Sequence, residues 1–252
     1  MKPTAIGRIL IWRGSSLWIG HAGEPTDVHA HHAVQLALPF RDGHVSFARP
    51  SSAWVRYPAA VIPANEPHAF EARSQFMAQI FVEPESVPGV ALQRRYRDGG
   101  ITPLPIDDIR DQVESLACAY ERRAPDGELF ALSQSIVASL AGATPGPDTT
   151  DPRIGTAIAE LKARLDESIS LDSVASSVGL SPDRFRHLFV AQTGVAFRPY
   201  ILWLRLERAL AAYVSGDSLT DAAQAGGFAD SAHFSRTFRR MFGIAPVSVR
   251  PE

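Results

Sequence analysis

Along the first hundred residues the apolar positions come in short runs broken by glycine and proline: RILIW, SLWIG, HHAVQLALPF, HVSFA, AWVRY, AAVIP and FMAQIFV. Short runs recurring about every 8–12 residues between turn formers predict an all-β sandwich or barrel. The period then changes. At 106–123 Ile106, Ile109, Val113, Leu116, Ala117 and Tyr120 share one helical stripe, and at 128–141 Leu129, Leu132, Ile136, Val137 and Leu140 do the same. The segment 142–152, GATPGPDTTDP, cannot continue a helix and has no large apolar side chain to bury, so it reads as a linker. Beyond it every periodic stretch reads as helix. The pattern therefore predicts a two-domain α+β chain: a β-rich part over 1–100, a helical segment over 101–141 and an all-α domain over 152–252.

The all-α part repeats itself. LDSVASSVGLSPDRFRHLFVAQTGVA at 171–196 is similar to LTDAAQAGGFADSAHFSRTFRRMFGIA at 219–245. Leu171, Ala175, Gly179 and Leu180 correspond to Leu219, Ala223, Gly227 and Phe228. Phe185, Phe189, Gly194 and Ala196 correspond to Phe234, Phe238, Gly243 and Ala245, one residue further on, so the second turn is longer by one. Each copy reads as a short helix, capped by Ser170 or by Ser218 or Thr220, that stops at a glycine. A second helix follows, opened in the first copy by Ser181-Pro182, with phenylalanines at i and i+4 facing inward. This is a helix-turn-helix, twice.

The outward faces of the second helices carry Asp183, Arg184, Arg186, His187 and Val190 in one copy, and Ala232, His233, Ser235, Arg236, Arg239 and Arg240 in the other. Arginine presents a rigid fork that matches guanine edges, and the first turns of such a helix reach the bases of a major groove. Between the copies, 197–217 predicts a long helix with Ile201, Leu202, Leu204, Leu206, Ala209, Leu210 and Tyr213 as its apolar stripe. About 18 residues at 1.5 Å each give a spacer of roughly 27 Å, suited to two readers near one turn of DNA. Arg198, Arg205 and Arg208 on it can serve phosphates or pair with acids.

Residues 153–250 resemble the DNA-binding domain of AraC/XylS-type transcriptional regulators. The resemblance rests on LDSVASSVGLSPDRFRHLF, on the spacer helix and on the closing GFADSAHFSRTFRRMFGIAPVSVR. In that last stretch Gly227, Phe228, Asp230, Phe234, Arg236, Phe238, Arg239, Gly243, Pro246 and Arg250 fit the family pattern. Ala245 stands where Ser or Thr is usual, and Val249 where an aromatic is usual. The resemblance implies double-stranded DNA as partner, with Asp183, Arg186 and His187 in the first reader and Ala232, His233 and Arg236 in the second facing bases. It also implies a small-molecule effector, RNA polymerase as a partner if the protein activates, and a homodimer through helix 106–123 or 128–141. DNA binding itself would need no cofactor. Covering the β-rich part is the equally weighted alternative for these two helices; the spacing of Ile109, Val113, Leu116 and Tyr120 suits an antiparallel helix pair.

Charge initially argues against a nucleic-acid partner, since the chain has a formal charge of −2 and a pI near 6.4. Its distribution changes that reading. Residues 152–252 hold 12 basic and 10 acidic side chains, whereas residues 1–151 hold 13 and 17, so the halves differ in sign. A single cysteine, Cys118, excludes an internal disulfide framework and suits a reducing cytoplasm. No apolar run approaches the roughly 18 residues of a membrane span. The opening MKPTAIGRILIW is broken by Arg13 and Gly14 without a cleavage site, so neither a secretory signal nor a membrane partner is expected.

The β-rich half carries a second constellation. Gly23-x5-His29-x-His31-x3-Gln35-x7-Gly43 resembles the first cupin motif, with Gln where Glu is common. Pro63-Ala64-Asn65-x2-His68 resembles the second. If residues 29–35 form one strand, His29, His31 and Gln35 share a face, and His68 on a neighbouring strand could join them. Imidazole nitrogens with one oxygen donor suit Zn, Ni, Fe or Mn. The alternative reading stays open, because Val34, Leu36 and Leu38 make the opposite face more apolar and His32 shares it. Many regulators of this resemblance use such a cupin-like barrel for an organic effector without metal. Trp12, Trp18, Phe47, Trp54 and Tyr57 are candidate pocket aromatics, or simply core. The competing function class is a metal-dependent cupin enzyme with a helical accessory domain; a structural adaptor that has lost DNA binding is a third.

Overall fold

The computed structural model describes residues 5–12, 14–96, 100–142 and 151–251. Most of the linker expected at 142–152 lies outside these residues. Backbone contacts divide the chain into two compact units, Met1–Pro145 together with Phe238–Glu252, and Gly146–Thr237.

The first unit is built on strands β1 (Ala5–Trp12), β2 (Ser15–Ala22), β3 (Val34–Pro39), β4 (Val45–Ala48), β5 (Val55–Tyr57), β6 (Ala60–Ile62), β7 (Ala69–Glu71), β8 (Phe76–Val82), β9 (Thr102–Pro103) and β10 (Val249–Pro251). They form a seven-stranded sheet in the order β10-β1-β2-β8-β3-β6-β9 and a three-stranded sheet in the order β5-β4-β7. All pairs are antiparallel except β1 with β10, which run parallel from Ala5↔Val249. The tail is thus not wholly helical, contrary to the periodicity reading. Pro246 opens a single 3-10 turn, Pro246–Ser248, and the chain beyond it completes a sheet edge. Helix α1 (Val87–Tyr96) was also not foreseen; its mixed sequence VPGVALQRRY carries only a weak apolar stripe.

The two faces of β3 explain why strand alternation alone was ambiguous, for all six of its residues are buried. Val34, Leu36 and Leu38 lie with Leu17, Ile19, Ile80 and Val82 in a core closed by helices α2 (Ile106–Glu121) and α3 (Asp126–Ala141). Ala37 belongs instead to a second cluster with Val45, Phe47, Ile62, Phe70 and Met77. The stripe on α2 is consumed in the first core: Ile109, Val113 and Leu116 are 2%, 4% and 0% exposed, beside Leu129, Ile136 and Leu140 of α3. Burying each such side chain is worth about 1.5–3 kcal/mol, so withdrawing the stripe to meet another chain would cost several times that. The helix pair that its spacing suggested is made within the chain.

The second unit holds α4 (Pro152–Ala163), α5 (Leu171–Ser177), α6 (Pro182–Thr193), α7 (Phe197–Val214), α8 (Leu219–Ala225) and the start of α9 (Ser231–Phe242). The repeat is visible as geometry: α5 and α8 have seven residues each, α6 and α9 twelve. The hydroxyls of Ser170, Ser181 and Ser218 accept from the backbone N–H three residues on, which settles Ser218 over Thr220 as the cap. Gly179 and Gly227, at φ +68° and +71°, make the turns. Phe185, Phe189, Phe197 and Tyr200 form an aromatic box with ring centroids 5.1–5.9 Å apart. The spacer helix α7 buries more than one stripe, because α6 and α8 both pack on it. Tyr200 and Trp203 join Leu204, Leu206, Ala209 and Leu210 in its core, whereas Ile201, Leu202 and Tyr213 stay half-buried. A Cβ on Gly226 would stand 2.6 Å from both the Arg205 carbonyl oxygen and the Ala209 Cβ, so the end of α8 lies directly against α7.

Candidate nucleic-acid interface and histidine centre

Packing fixes what α6 can show to a partner. With Phe185 and Phe189 at 0% exposure, Asp183, Arg184, Arg186, His187 and Val190 are left on the open side. Arg186 donates to the Asp183 carboxylate at 2.7 Å within this face. Such an exposed pair contributes little and yields readily to phosphate or base. On α9 the Asp230 carboxylate accepts from the His233 N–H at 2.6 Å and caps the helix. Ala232, Arg236, Arg239 and Arg240 are exposed. His233 and Ser235 are half-buried, the His233 ring standing edge-on to Phe228 at 5.1 Å. Arg239 is not idle, since its guanidinium donates to the Asp27 carboxylate at 2.7 and 2.8 Å. On α7, Arg208 pairs with Asp166 at 2.8 Å, Arg205 runs beside Gly227 and Arg198 is exposed.

In the first unit His29, His31 and His68 come together, each buried, with one ring nitrogen apiece lying within 4.8 Å of the others. They do not converge by the alternation of one strand, as the sequence suggested, because β3 begins only at Val34. Instead His29 and His68 form an isolated antiparallel bridge, exchanging backbone bonds of 2.8 Å, and the chain bends between His31 and β3. Gln35 enters from β3, with Oε1 2.9 Å from His31 Nε2 and its amide nitrogen donating to Gln79 Oε1 at 2.7 Å. His32 leaves this group and pairs with Glu85 at 3.0 Å.

All three Nδ1 atoms are anchored on backbone carbonyls two residues away: His29 on Asp27 at 2.8 Å, His31 on Ala33 at 3.0 Å and His68 on Glu66 at 2.8 Å. A carbonyl only accepts, so each Nδ1 carries the hydrogen and each Nε2 keeps its lone pair. His68 Nε2 is buried without a hydrogen-bond partner, a cost of about 1–3 kcal/mol.

Beside the histidines is a cleft whose lining includes Trp18, Thr26, His29, Gln35, Phe81 and Phe242. Of the expected pocket aromatics Trp18 lines it. Phe47 and Tyr57 pack in the second core cluster instead, Phe47 with its ring 5.7 Å from that of His68, and Trp54 is 46% exposed. Trp12 packs against Phe130 with the rings tilted and their centroids 4.5 Å apart. Gln79 and Asp27 were missed by sequence reasoning. Gln79 had left a signal as the one polar residue in the apolar run FMAQIFV; Asp27 had left none.

Burial holds all three histidines neutral. It is the main cause of the lowering at His29, where the Asp27 carbonyl and carboxylate pull the other way. Burial and then the neighbouring His29 push His31 down to about 3, and burial followed by His31 and His29 puts His68 well below 6.5. The unfolded chain therefore binds a proton on His31 from 6.5 downward that the folded chain refuses until about 3. Stability falls with acid across that window, and His31 alone accounts for about 2 kcal/mol between pH 6.5 and 5. Denaturant unfolding of metal-free protein should show that drop, and His31→Ala should reduce it. Equal stability at the two pH values would contradict the burial argument.

Two successive helix-turn-helix units around a shared spacer helix define a class of DNA-binding proteins. A family described as a helix-turn-helix domain matches residues 174–251. The transcriptional activator RhaS of Escherichia fergusonii is 37% identical over 107 residues, 42% of this chain and 38% of its own. The regulator GlxA of Rhizobium meliloti is 28% identical over 155 residues, 60% of this chain and 47% of its own. The chain thus spans less than half the length of these relatives. The crystal structure of ToxT from Vibrio cholerae O395 aligns over 92% of this chain and 94% of that one, with a TM-score of 0.59 at 12% identity. That shows a shared mixed α+β fold with a β-rich amino-terminal and a helical carboxy-terminal part. The carboxy-terminal region is an AraC-family helix-turn-helix domain. No helix among the described residues is long and apolar enough to cross a membrane.

Proposed function

We propose that the chain is a sequence-specific transcriptional regulator, not an enzyme. In this reading residues 152–252 bind operator DNA, and residues 1–100, as a cupin-like domain, sense a small molecule or metal ion. The observation that carries the reading is the double helix-turn-helix, whose two twelve-residue helices turn arginines outward while phenylalanines anchor them from behind. RhaS and GlxA are named as transcriptional regulators, which supports the same reading. Asp183, Arg184, Arg186, His187, Ala232, Arg236 and Arg240 are the contact residues it requires, with His233 and Ser235 at the edge of the face. A regulator of promoters works in the cytoplasm, and as an activator it would meet RNA polymerase. A homodimer would use the outward polar faces of α2 and α3, since the inward stripe is buried.

The sensing half of the reading is supported by the cleft beside the histidines, apolar on Trp18, Phe81 and Phe242 and polar on His29 and Gln35. Selection of random duplex DNA by the full chain is expected to enrich one motif of two unequal half-sites about one helical turn apart. Enrichment of no motif would overturn the regulator reading.

A further inference from the structure

We propose that the cleft beside the histidines binds an uncharged, largely apolar molecule carrying a hydroxyl group, an alcohol or a phenol, and that Gln79 and Trp18 select that hydroxyl. This ligand chemistry rests on the sensing half of the reading above, and the site needs no metal ion.

The shape of the site follows from the strand register. Trp18 and Gln79 are cross-strand partners on β2 and β8, so they share one face of the large sheet. Both line the cleft already described and also a second one that continues past them. On that side Gly7 pairs with Gly20 and Gly20 with Met77, and the two glycines leave no side chain standing over the sheet. The other end is walled by Trp18, Phe81 and Phe242, whose ring centroids lie 5.0–5.6 Å apart. Apolar surface is thus available on both sides of one polar point.

Charge excludes ions. Among the described residues of the two clefts the ionisable side chains are Arg8, His21, Glu24 and His29. Strand alternation turns Arg8 and His21 to the opposite face of the sheet, where Arg8 donates to the Ala124 carbonyl at 2.8 Å and His21 stacks on Phe76. Glu24 is exposed and pairs with Arg73 at 3.2 Å, and burial keeps His29 neutral. A carboxylate or phosphate would meet no cation there and an ammonium no buried anion, so either would lose its hydration uncompensated.

A chain of hydrogen bonds fixes the polarity. His31 Nδ1–H is spent on the Ala33 carbonyl at 3.0 Å, so His31 Nε2 only accepts. Gln35 Oε1, another acceptor, faces it at 2.9 Å, while Gln35 Nε2 lies 2.7 Å from Gln79 Oε1. Turning both amides end for end exchanges oxygen for nitrogen without moving the side chains. Gln35 then donates to His31 and Gln79 donates to Gln35, so both contacts are satisfied. The Gln79 carbonyl oxygen is thereby turned away from Gln35, towards the clefts, as an acceptor. Across the strand pair the Trp18 indole N–H is buried without a hydrogen-bond partner. A donor beside an acceptor matches one hydroxyl, which gives its proton to Gln79 and accepts that of Trp18. A carbonyl or an ether could answer only Trp18.

The test uses the full chain with a chelator present, so that no metal contributes. Three probes of similar shape are titrated calorimetrically: para-ethylphenol, para-ethylanisole, whose hydroxyl is methylated, and para-ethylbenzoate. The phenol should bind at one site per chain and about tenfold or more tighter than the anisole, the loss expected when a buried acceptor goes unanswered. The benzoate should be weaker still. Gln79→Leu keeps the bulk and removes the acceptor, so it should bring the phenol down to the affinity of the anisole and leave anisole binding unchanged. Retained anisole binding separates lost recognition from lost folding. Equal affinity for phenol and anisole in the wild type, a preference for the benzoate, or no saturable phenol binding would overturn the proposal, and that comparison needs no variant. Phenol binding that leaves affinity for the selected DNA unchanged would support the site and count against the sensing reading. A chain that selects DNA yet binds no phenol would overturn the site and leave the regulator reading standing.

Discussion

Phe189→Ala is expected to lower the stability of the helix-turn-helix region by about 3–5 kcal/mol, as aromatic truncations in packed cores do. Phe189 is fully buried, and its ring meets Phe185, Phe197 and Tyr200 at 5.4, 5.7 and 5.1 Å. No other residue on α6 touches as many elements of the aromatic box, so the cavity cannot be closed by moving one neighbour. At about 4–8 °C per kcal/mol for a domain of this size, the melting transition should fall by at least 10 °C or so. DNA affinity should fall with it, because the box sets the distance between α6 and the spacer α7. Thermal melts followed by gel shifts on the same samples check both. A variant that melts within two or three degrees of the wild type would show that α6 is held by something other than these rings.

The second large effect is expected from surface residues with no stake in the core. Arg236→Ala and Arg186→Ala should each weaken binding to the selected DNA by about 5–150-fold, the range of 1–3 kcal/mol that one bidentate base contact supplies. Both side chains are exposed, so unfolding curves should superimpose on the wild type. The salt dependence separates the two roles an arginine can play. A base reader should relax specificity at one position, whereas a phosphate contact should weaken all sequences alike and reduce the salt slope by about one. Arg186 has the Asp183 carboxylate to leave behind. Asp183→Ala should therefore tighten nonspecific binding slightly if Arg186 serves phosphate. Unchanged affinity in both arginine variants would remove α6 and α9 from the interface.

How legible each feature was depended on how far apart its parts lie in the chain. The two helix-turn-helix units could be read because each is written locally: a serine cap, a glycine stop, phenylalanines four apart. Those signals act within one or two turns of helix, and the observed α5–α6 and α8–α9 keep them. The strands of the first eighty or so residues were legible for a similar reason, except β7, three residues long; the two-residue β9 at Thr102–Pro103 was not legible either. Helix α1 escaped because its buried residues, Gly89 and Leu92, give too little stripe to see.

What the sequence determined by itself is therefore the doubled helix-turn-helix and its arginine face, since helical period and capping chemistry are properties of neighbouring residues. Tertiary structure alone decided the rest. It turned the α2 stripe onto a sheet of its own chain, because that sheet had an equally apolar face to cover. It carried the tail back to pair with β1. It also brought His68 to His29 by a bridge between residues 39 positions apart, fixing three tautomers on three carbonyls. Spacing can nominate such histidines, but only the pairing of distant segments aims their lone pairs at one point.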